Sequence, residues 1–293
     1  MIKRTVKLII AWFNNFINSI LSVIKVLLFS SFAPTCYTIT QQSGKHCYIL
    51  GNGPSLKDVI GNNEIDWDKE TNVFVVNDFV LSDNYEIIKP AYYLMADPGY
   101  WVADTFLEMI ELRNKVFKLI NQKTTWNMVF LIPKQAHKTG VFDTEIKNEL
   151  IKVKFFNTTE IQGFSFLTRF CYKHNLGMPI LQNVLSAAIY LAINMRYKEI
   201  RILGADHSWL GGIIVNKDNQ VCQVNPHFYD GDEVNANVWL KFSGQPYLLH
   251  EVLIDLSRMF FAYHQLKSYA AYRNTEVYNL TKGSFIDAFE RRF

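Results

Sequence analysis

The chain has 293 residues, 49% of them apolar, enough to bury a core in one large domain or two small ones. Its formal charge of +3 is spread along the sequence, so no basic block points to nucleic acid. Cys36, Cys47, Cys171 and Cys222 form no C-x-x-C pair and no zinc spacing, which predicts free thiols in a reducing compartment rather than disulfides.

Residues 2–33 come first and are unusually apolar. Asn14, Asn15, Asn18 and Lys25 interrupt the run, which argues against a signal peptide and makes a membrane span costly. Lys7, Asn14, Asn18, Ser22 and Lys25 recur at three- and four-residue steps, with Ala11 between and Arg4, Asn15 and Ser19 alongside. The opposite face carries Ile9, Trp12, Phe13, Phe16, Ile17, Ile20, Val23, Ile24 and Leu27. This pattern predicts an amphipathic helix over 1–34 lying in the plane of an anionic membrane surface, with Lys3, Arg4, Lys7 and Lys25 toward headgroups. A core helix packed on the body fits the same moment. Pro34 closes the segment, and 35–45 reads as a linker.

Short apolar runs then alternate with helical patterns. Strands are predicted at 47–51, 72–76, 91–96, 128–132, 153–156, 199–203 and 276–279; helices are predicted at 101–118, 161–174, 183–195 and 248–272. Continuous apolar strands between helices imply an α/β fold over 46–293, with a Rossmann-like parallel sheet covered by helices on both faces. Ligands in such folds bind beyond the carboxyl ends of the strands. Residues 207–247 interrupt the alternation, and so long an insertion reads as a lid.

The polar residues cluster at the strand ends. Gly51-Asn52-Gly53-Pro54-Ser55 follows the first strand and precedes a helix start, a phosphate-friendly arrangement that also fits a tight turn capped by Ser55. The full dinucleotide fingerprint is absent, because Leu56 stands where its third glycine would be. Asn77-Asp78 and Asp97-Pro98-Gly99 end the next two strands and fit a donor contact or a turn equally. Gly204-Ala205-Asp206-His207 places a carboxylate beside an imidazole, a candidate acid/base pair or a satisfied loop pair. In His227-Phe-Tyr229-Asp230-Gly-Asp232, His227 suits a base, Tyr229 or His207 suits support of a leaving phosphate, and Asp230-x-Asp232 matches a short metal-binding pattern that is also a turn former. Asn279, Thr281 and Ser284 would reach the same rim, or form a plain capping sequence.

The blocks YILGNGPSLKD, VFVVNDF, ILQNVLSAAIYLAINMRYKEIRILGAD and VYNLTKGSFIDAF, running from about residue 46 to the end, resemble in order those of the bacterial sialyltransferases of glycosyltransferase family 42. They also resemble the wider 6-hydroxymethylpterin diphosphokinase-like set, which includes flagellin-modifying enzymes. The resemblance implies a GT-A-like variant of the Rossmann-like fold with a mobile lid, a CMP-sugar donor, metal-independent inverting transfer and a membrane-bound glycan acceptor. It implies donor contacts at Gly51, Asn52, Gly53, Ser55 and Asn77, and near Gln182-Asn183 before the third helix. The family's phosphate-binding tyrosine after G-x-D is replaced by Ser208, with Trp209 next. Its catalytic histidine corresponds to His227, with Asp232 nearby.

The sequence therefore predicts a bacterial glycosyltransferase of surface-polysaccharide or lipooligosaccharide synthesis, peripheral on the cytoplasmic face of the inner membrane. The expected donor sugar is sialic acid, another nonulosonic acid or Kdo. Catalytic residues are expected among His227, Tyr229, His207 and Asp232. Donor contacts are expected from Gly51, Asn52, Gly53, Ser55, Asn77, Asp97, Gln182, Asn183, Gly204, Asp206, Asn279 and Ser284. No metal ligand set and no cofactor beyond the nucleotide-sugar substrate are expected, with Mg²⁺ a secondary reading. The expected partners are nucleotide sugar, a glycan or glycolipid acceptor and an anionic membrane, with room for a homo-oligomer and no nucleic acid. The alternatives are a pyrophosphokinase and a non-catalytic nucleotide-binding protein.

Overall fold

The computed structural model describes residues 2–32, 45–61, 65–67, 72–223, 237–241 and 244–292. Nine α-helices and eleven strands occur among them. The helices are α1 (Ile2–Phe29), α2 (Leu56–Gly61), α3 (Tyr85–Ile88), α4 (Leu107–Lys123), α5 (Lys134–Thr139), α6 (Val141–Glu145), α7 (Ser165–Lys173), α8 (Val184–Asn194) and α9 (Leu249–Tyr272). The strands β1 (His46–Leu50), β2 (Val73–Val76), β3 (Tyr92–Leu94), β4 (Met128–Pro133), β5 (Ile151–Phe156), β6 (Glu199–Leu203), β10 (Glu276–Asn279) and β11 (Glu290–Arg291) build one parallel sheet, in the order β11-β10-β6-β1-β2-β3-β4-β5. The strands β7 (Ile213–Val215), β8 (Val221–Gln223) and β9 (Asn237–Val238) form a small antiparallel sheet inside the 207–247 insertion. The Rossmann-like α/β fold expected from the strand pattern is present.

Alternation within the strands feeds two cores. Cys47 and Ile49 of β1 face one, with α8 and α9; Tyr48 and Leu50 face the other, with Val116, Phe117 and Ile120 of α4. α8 is buried along Leu185–Ile193, and its small Ser186, Ala187, Ala188 and Ala192 let it lie close against β1, β2 and β6. A helix apolar on all sides is one that is buried on all sides.

Two helices start later than their periodicity predicts. α4 begins at Leu107, not Trp101: its N-cap, Phe106, is extended at φ −71°, ψ 156°, after a 3₁₀ turn over Pro98–Tyr100 in which the Asp97 side chain accepts from Gly99 N–H. α7 begins at Ser165, not Ile161, after Gly163 at φ +113°, a conformation outside the helical region.

α1 departs from expectation in its packing. Its polar line does not face water or headgroups along its whole length; the carboxyl-terminal half docks on the body. Ser19 Oγ accepts from Phe164 N–H at 2.9 Å, and Ser22 Oγ both donates to the Gln162 carbonyl and accepts from its N–H, each at 2.8 Å. Lys25, expected to meet lipid, lies 3.7 Å from Glu160. Val26 is in the core, and Ser30 donates to Thr159 Oγ1 at 2.8 Å. Small hydroxyls allow this approach: a Cβ on Gly163 would sit 2.3 Å from Ser19 Oγ. By length and composition Arg4–Phe29 could cross a membrane, and 11% of its most apolar stretch is buried on the protein.

Candidate functional site

The chain runs β1 to β5 toward one edge of the sheet, then returns so that β6 pairs with the other side of β1. That reversal opens a crevice between the loops following β1 and β6, the place where open α/β sheets bind ligands. A cleft of about 900 Å³ lies there. Its walls include Gly51–Pro54 after β1, Asn77 and Asp78 after β2, Asp97 after β3, Gln135 after β4, Thr158 and Glu160 after β5, and Gly204 and Asp206–Trp209 after β6; Gln182 and Asn183 precede α8, and Tyr247 precedes α9.

The Gly51–Ser55 loop is shaped by its neighbour. Gly51 N–H donates to the Leu203 carbonyl and Gly53 N–H to the Gly204 carbonyl, both at 2.8 Å. A Cβ at Gly51 would stand 2.4 Å from the Gly204 oxygen. Gly204 itself has φ +63°, a conformation that favours glycine. Ser55 does not stand free for a phosphate: its hydroxyl donates to Asp206 Oδ2 at 2.8 Å, and its N–H reaches Oδ1 at 3.3 Å. The amino end of the six-residue α2 is thus occupied by a carboxylate of the protein. Burial raises the Asp206 carboxyl pKa, against the lowering effect of the two Ser55 bonds.

Three amides that line the cleft each hold one buried atom without a partner. Asn52 Nδ2 donates to the Val76 carbonyl at 3.1 Å, which turns Oδ1 away with no partner. Asn183 caps α8 by accepting from Ser186 N–H at 3.0 Å, which fixes its oxygen and leaves Nδ2 buried and unbonded. Asn77, at φ +46°, has a buried Oδ1 without a partner. A buried amide atom left unpaired costs about 1–3 kcal/mol. All three belong to residues that line one cleft.

His207 is buried at φ +51°, its ring 4.4 Å from that of Trp209. Its Nε2 is 2.7 Å from Tyr263 Oη, and Tyr263 donates to Asn183 Oδ1 at 3.0 Å. Because the Asn183 oxygen is fixed by its cap and takes the tyrosine proton, Nε2 of His207 must be the donor in the first bond. Burial holds the imidazole neutral, with a pKa of about 3. His207, expected as a candidate acid/base group, is buried and ties the β6 loop to the α8 cap through Tyr263.

This predicts an acid-sensitive fold. The unfolded imidazole takes its proton near pH 6.5 and the folded one near pH 3, so stability is intact above 6.5 and declines as pH falls toward 3. At pH 5 the loss is about 2 kcal/mol. Thermal melts of His207→Gln should fall less steeply across that window than those of the native chain; equal slopes would assign the acid sensitivity elsewhere.

Asn279 and Ser284, expected at the rim, are fully paired behind it. Asn279 Nδ2 donates to Ser284 Oγ at 2.9 Å, Asn279 Oδ1 accepts from Thr281 N–H at 3.1 Å, and Ser284 Oγ donates to the Ala205 carbonyl at 2.6 Å. They hold the β6 loop from the far side and do not line the cleft. Asp97 lines it, but one oxygen accepts from Gly99 N–H at 2.8 Å, and burial raises its pKa. His227, Tyr229 and Asp232 lie outside the described residues. Among the described residues no three His, Cys, Asp or Glu side chains gather in a group that would hold a metal ion.

Sequence reasoning missed Trp101, Gln135, Thr158, Glu160, Trp209 and Tyr247. Gln135, Thr158 and Glu160 follow β4 and β5, so the strand-end rule could have found them. Tyr247 could not be found that way: it arrives from the insertion, where its N–H donates to the Trp239 carbonyl at 2.8 Å.

The sequence matches no family model and no curated protein. Among solved structures it is similar to the MAf glycosyltransferase from Magnetospirillum magneticum AMB-1, with a TM-score of 0.48 and 13% identity over 90% of this chain. The chain spans 35% of the length of that protein.

Proposed function

We propose that the protein is a glycosyltransferase that holds a nucleotide-sugar donor in the β1/β6 cleft and passes the sugar to a membrane-held glycan. The observation that carries this reading is the set of unpaired amide atoms, Asn52 Oδ1, Asn77 Oδ1 and Asn183 Nδ2, around a strand-end cleft of about 900 Å³. Two acceptors suit hydroxyl or amino donors of a nucleoside, and one donor suits a phosphate oxygen. The rings of Trp101, Trp209 and Tyr247 on the walls suit the apolar face of a sugar.

Asp78, Asp97, Glu160 and Asp206 line the cleft, and no Lys or Arg does so among the described residues. The motif resemblance favours sialic acid, another nonulosonic acid or Kdo as the sugar.

In this reading the acceptor hydroxyl attacks the anomeric carbon, His227 takes its proton, and the bond to the phosphate oxygen breaks with its electron pair leaving on CMP. Asn183 Nδ2 would bond the departing phosphate. The carboxylate-rich wall also suits Mg²⁺–ATP, which keeps a pyrophosphokinase as the second reading.

A thermal-shift panel of CMP, UDP, GDP and ATP, with and without Mg²⁺, separates the two. CMP at a hundred times its Kd should stabilise the protein by about 2.7 kcal/mol. The shift should shrink in Asn52→Ala and Asn183→Ala, the latter also losing a helix cap worth about 1 kcal/mol in the free protein. A response to Mg²⁺–ATP alone would replace the transferase reading with the kinase one.

A further inference from the structure

The exposed aromatic residues of α1 do not stop at that helix. The Trp12 ring stacks on Phe16 at 5.5 Å and approaches Phe164 at 5.9 Å; Phe164 in turn stacks on Phe166 at 5.9 Å. Phe166 and Phe170 on α7 are 71% and 55% exposed. On α1 the residues Ile9, Phe13, Phe16, Ile20, Val23 and Leu27 follow four- and three-residue steps, and all are exposed. They run the length of the helix, away from the Ser19, Ser22 and Val26 side that meets the body. So long a contiguous apolar surface is not that of an ordinary water-facing helix.

The charges that these two helices carry have one sign. α1 carries Arg4 and Lys7 exposed on its polar face and no Asp or Glu; α7 carries Arg169 and Lys173 exposed and no Asp or Glu. Apolar helices whose charged side chains are all cations match an anionic bilayer.

We propose that α1 and α7 form one membrane-docking face, which seats the protein in the plane of an anionic bilayer without spanning it. Body contacts begin at Trp12, whose ring approaches Phe164, so the free part of α1, residues 2–11, is about 15 Å long, well short of the roughly 30 Å hydrocarbon core. A crossing helix would also carry the Lys25–Glu160 pair and the docked 157–164 segment to bilayer depth. Lying flat, α1 places its apolar stripe in the interface while its polar edge stays on protein. α7 adds Phe166 and Phe170 to the contact. Glu160 and Thr158 belong to the same docked segment and line the cleft, so the cleft's β5 side adjoins the bilayer.

The inference stands apart from the transferase reading, because vesicle binding needs no donor. Full-length protein is mixed with phosphatidylcholine vesicles, with and without phosphatidylglycerol, and floated on a gradient. Stronger binding to the anionic vesicles is expected. The double variant Phe166→Ser/Phe170→Ser should melt as the native chain does and bind about tenfold more weakly or worse, although α1 is intact. Alkaline carbonate should release the bound native protein. Native affinity in the double variant, indifference to lipid charge, or retention after carbonate would overturn the proposal. So would a variant that loses self-association in detergent while keeping vesicle binding, because a second copy would then cover the face.

Discussion

Replacing Gly53 by alanine is expected to lower the melting temperature and abolish the CMP-induced shift together. The new Cβ would lie 2.0 Å from Asp206 Oδ2 and 2.6 Å from the Gly204 carbonyl oxygen. The carboxylate could swing aside only by giving up Ser55, and the carbonyl belongs to a backbone held by the Gly53 N–H bond itself. The β1 and β6 loops must therefore separate, which widens the cleft floor. Overpacking of this kind costs about 1–3 kcal/mol, a drop of roughly 2–10 °C for a chain of this size. Ser55→Ala is the control: it removes one hydrogen bond, about 1 kcal/mol, without a clash, so its nucleotide shift should survive. An alanine at 53 that melts and binds as the native protein does would mean that the two loops do not bear on one another.

His227→Ala is expected to lose about 100- to 10,000-fold in turnover, the usual contribution of a positioned general base. Its CMP-induced thermal shift should stay, because the base serves the acceptor and not the nucleotide. The native rate should fall toward acid, because an imidazole must be neutral to accept a proton. The two histidines separate cleanly in such measurements. His207, with a pKa of about 3 and a buried bond to Tyr263, is neutral above that pH, so its loss should change stability and the acid slope of unfolding, not the pH profile of the rate. Normal turnover in His227→Ala would remove it from the mechanism and leave the donor site untouched.

Gly53 tests whether the crevice is built by loop-to-loop packing. His227 tests whether the insertion between β8 and β9 brings chemistry to it. The Asn183 cap meets the β6 loop through Tyr263, and its Nδ2 is buried without a partner.

The sequence by itself determined the α/β class, seven of the eight strands of the main sheet and the strand ends around which the cleft forms. Parallel strands buried on both faces read as continuous apolar runs, and the polar residue that ends each run marks the carboxyl edge. β11, two exposed residues at the sheet edge, carries no such pattern and was missed. The tertiary structure decided which of those polar residues are paired within the protein. Ser55 and Asp206 are 151 positions apart and spend their polarity on each other; Asn279 and Ser284 spend theirs behind the β6 loop, while Asn52, Asn77 and Asn183 keep an atom unspent. In the same way the helical period of α1 predicted its two faces but not which would meet protein. A hydroxyl such as Ser22 has the same periodicity whether its partner is water or the Gln162 backbone, and only the fold brings that backbone within 2.8 Å.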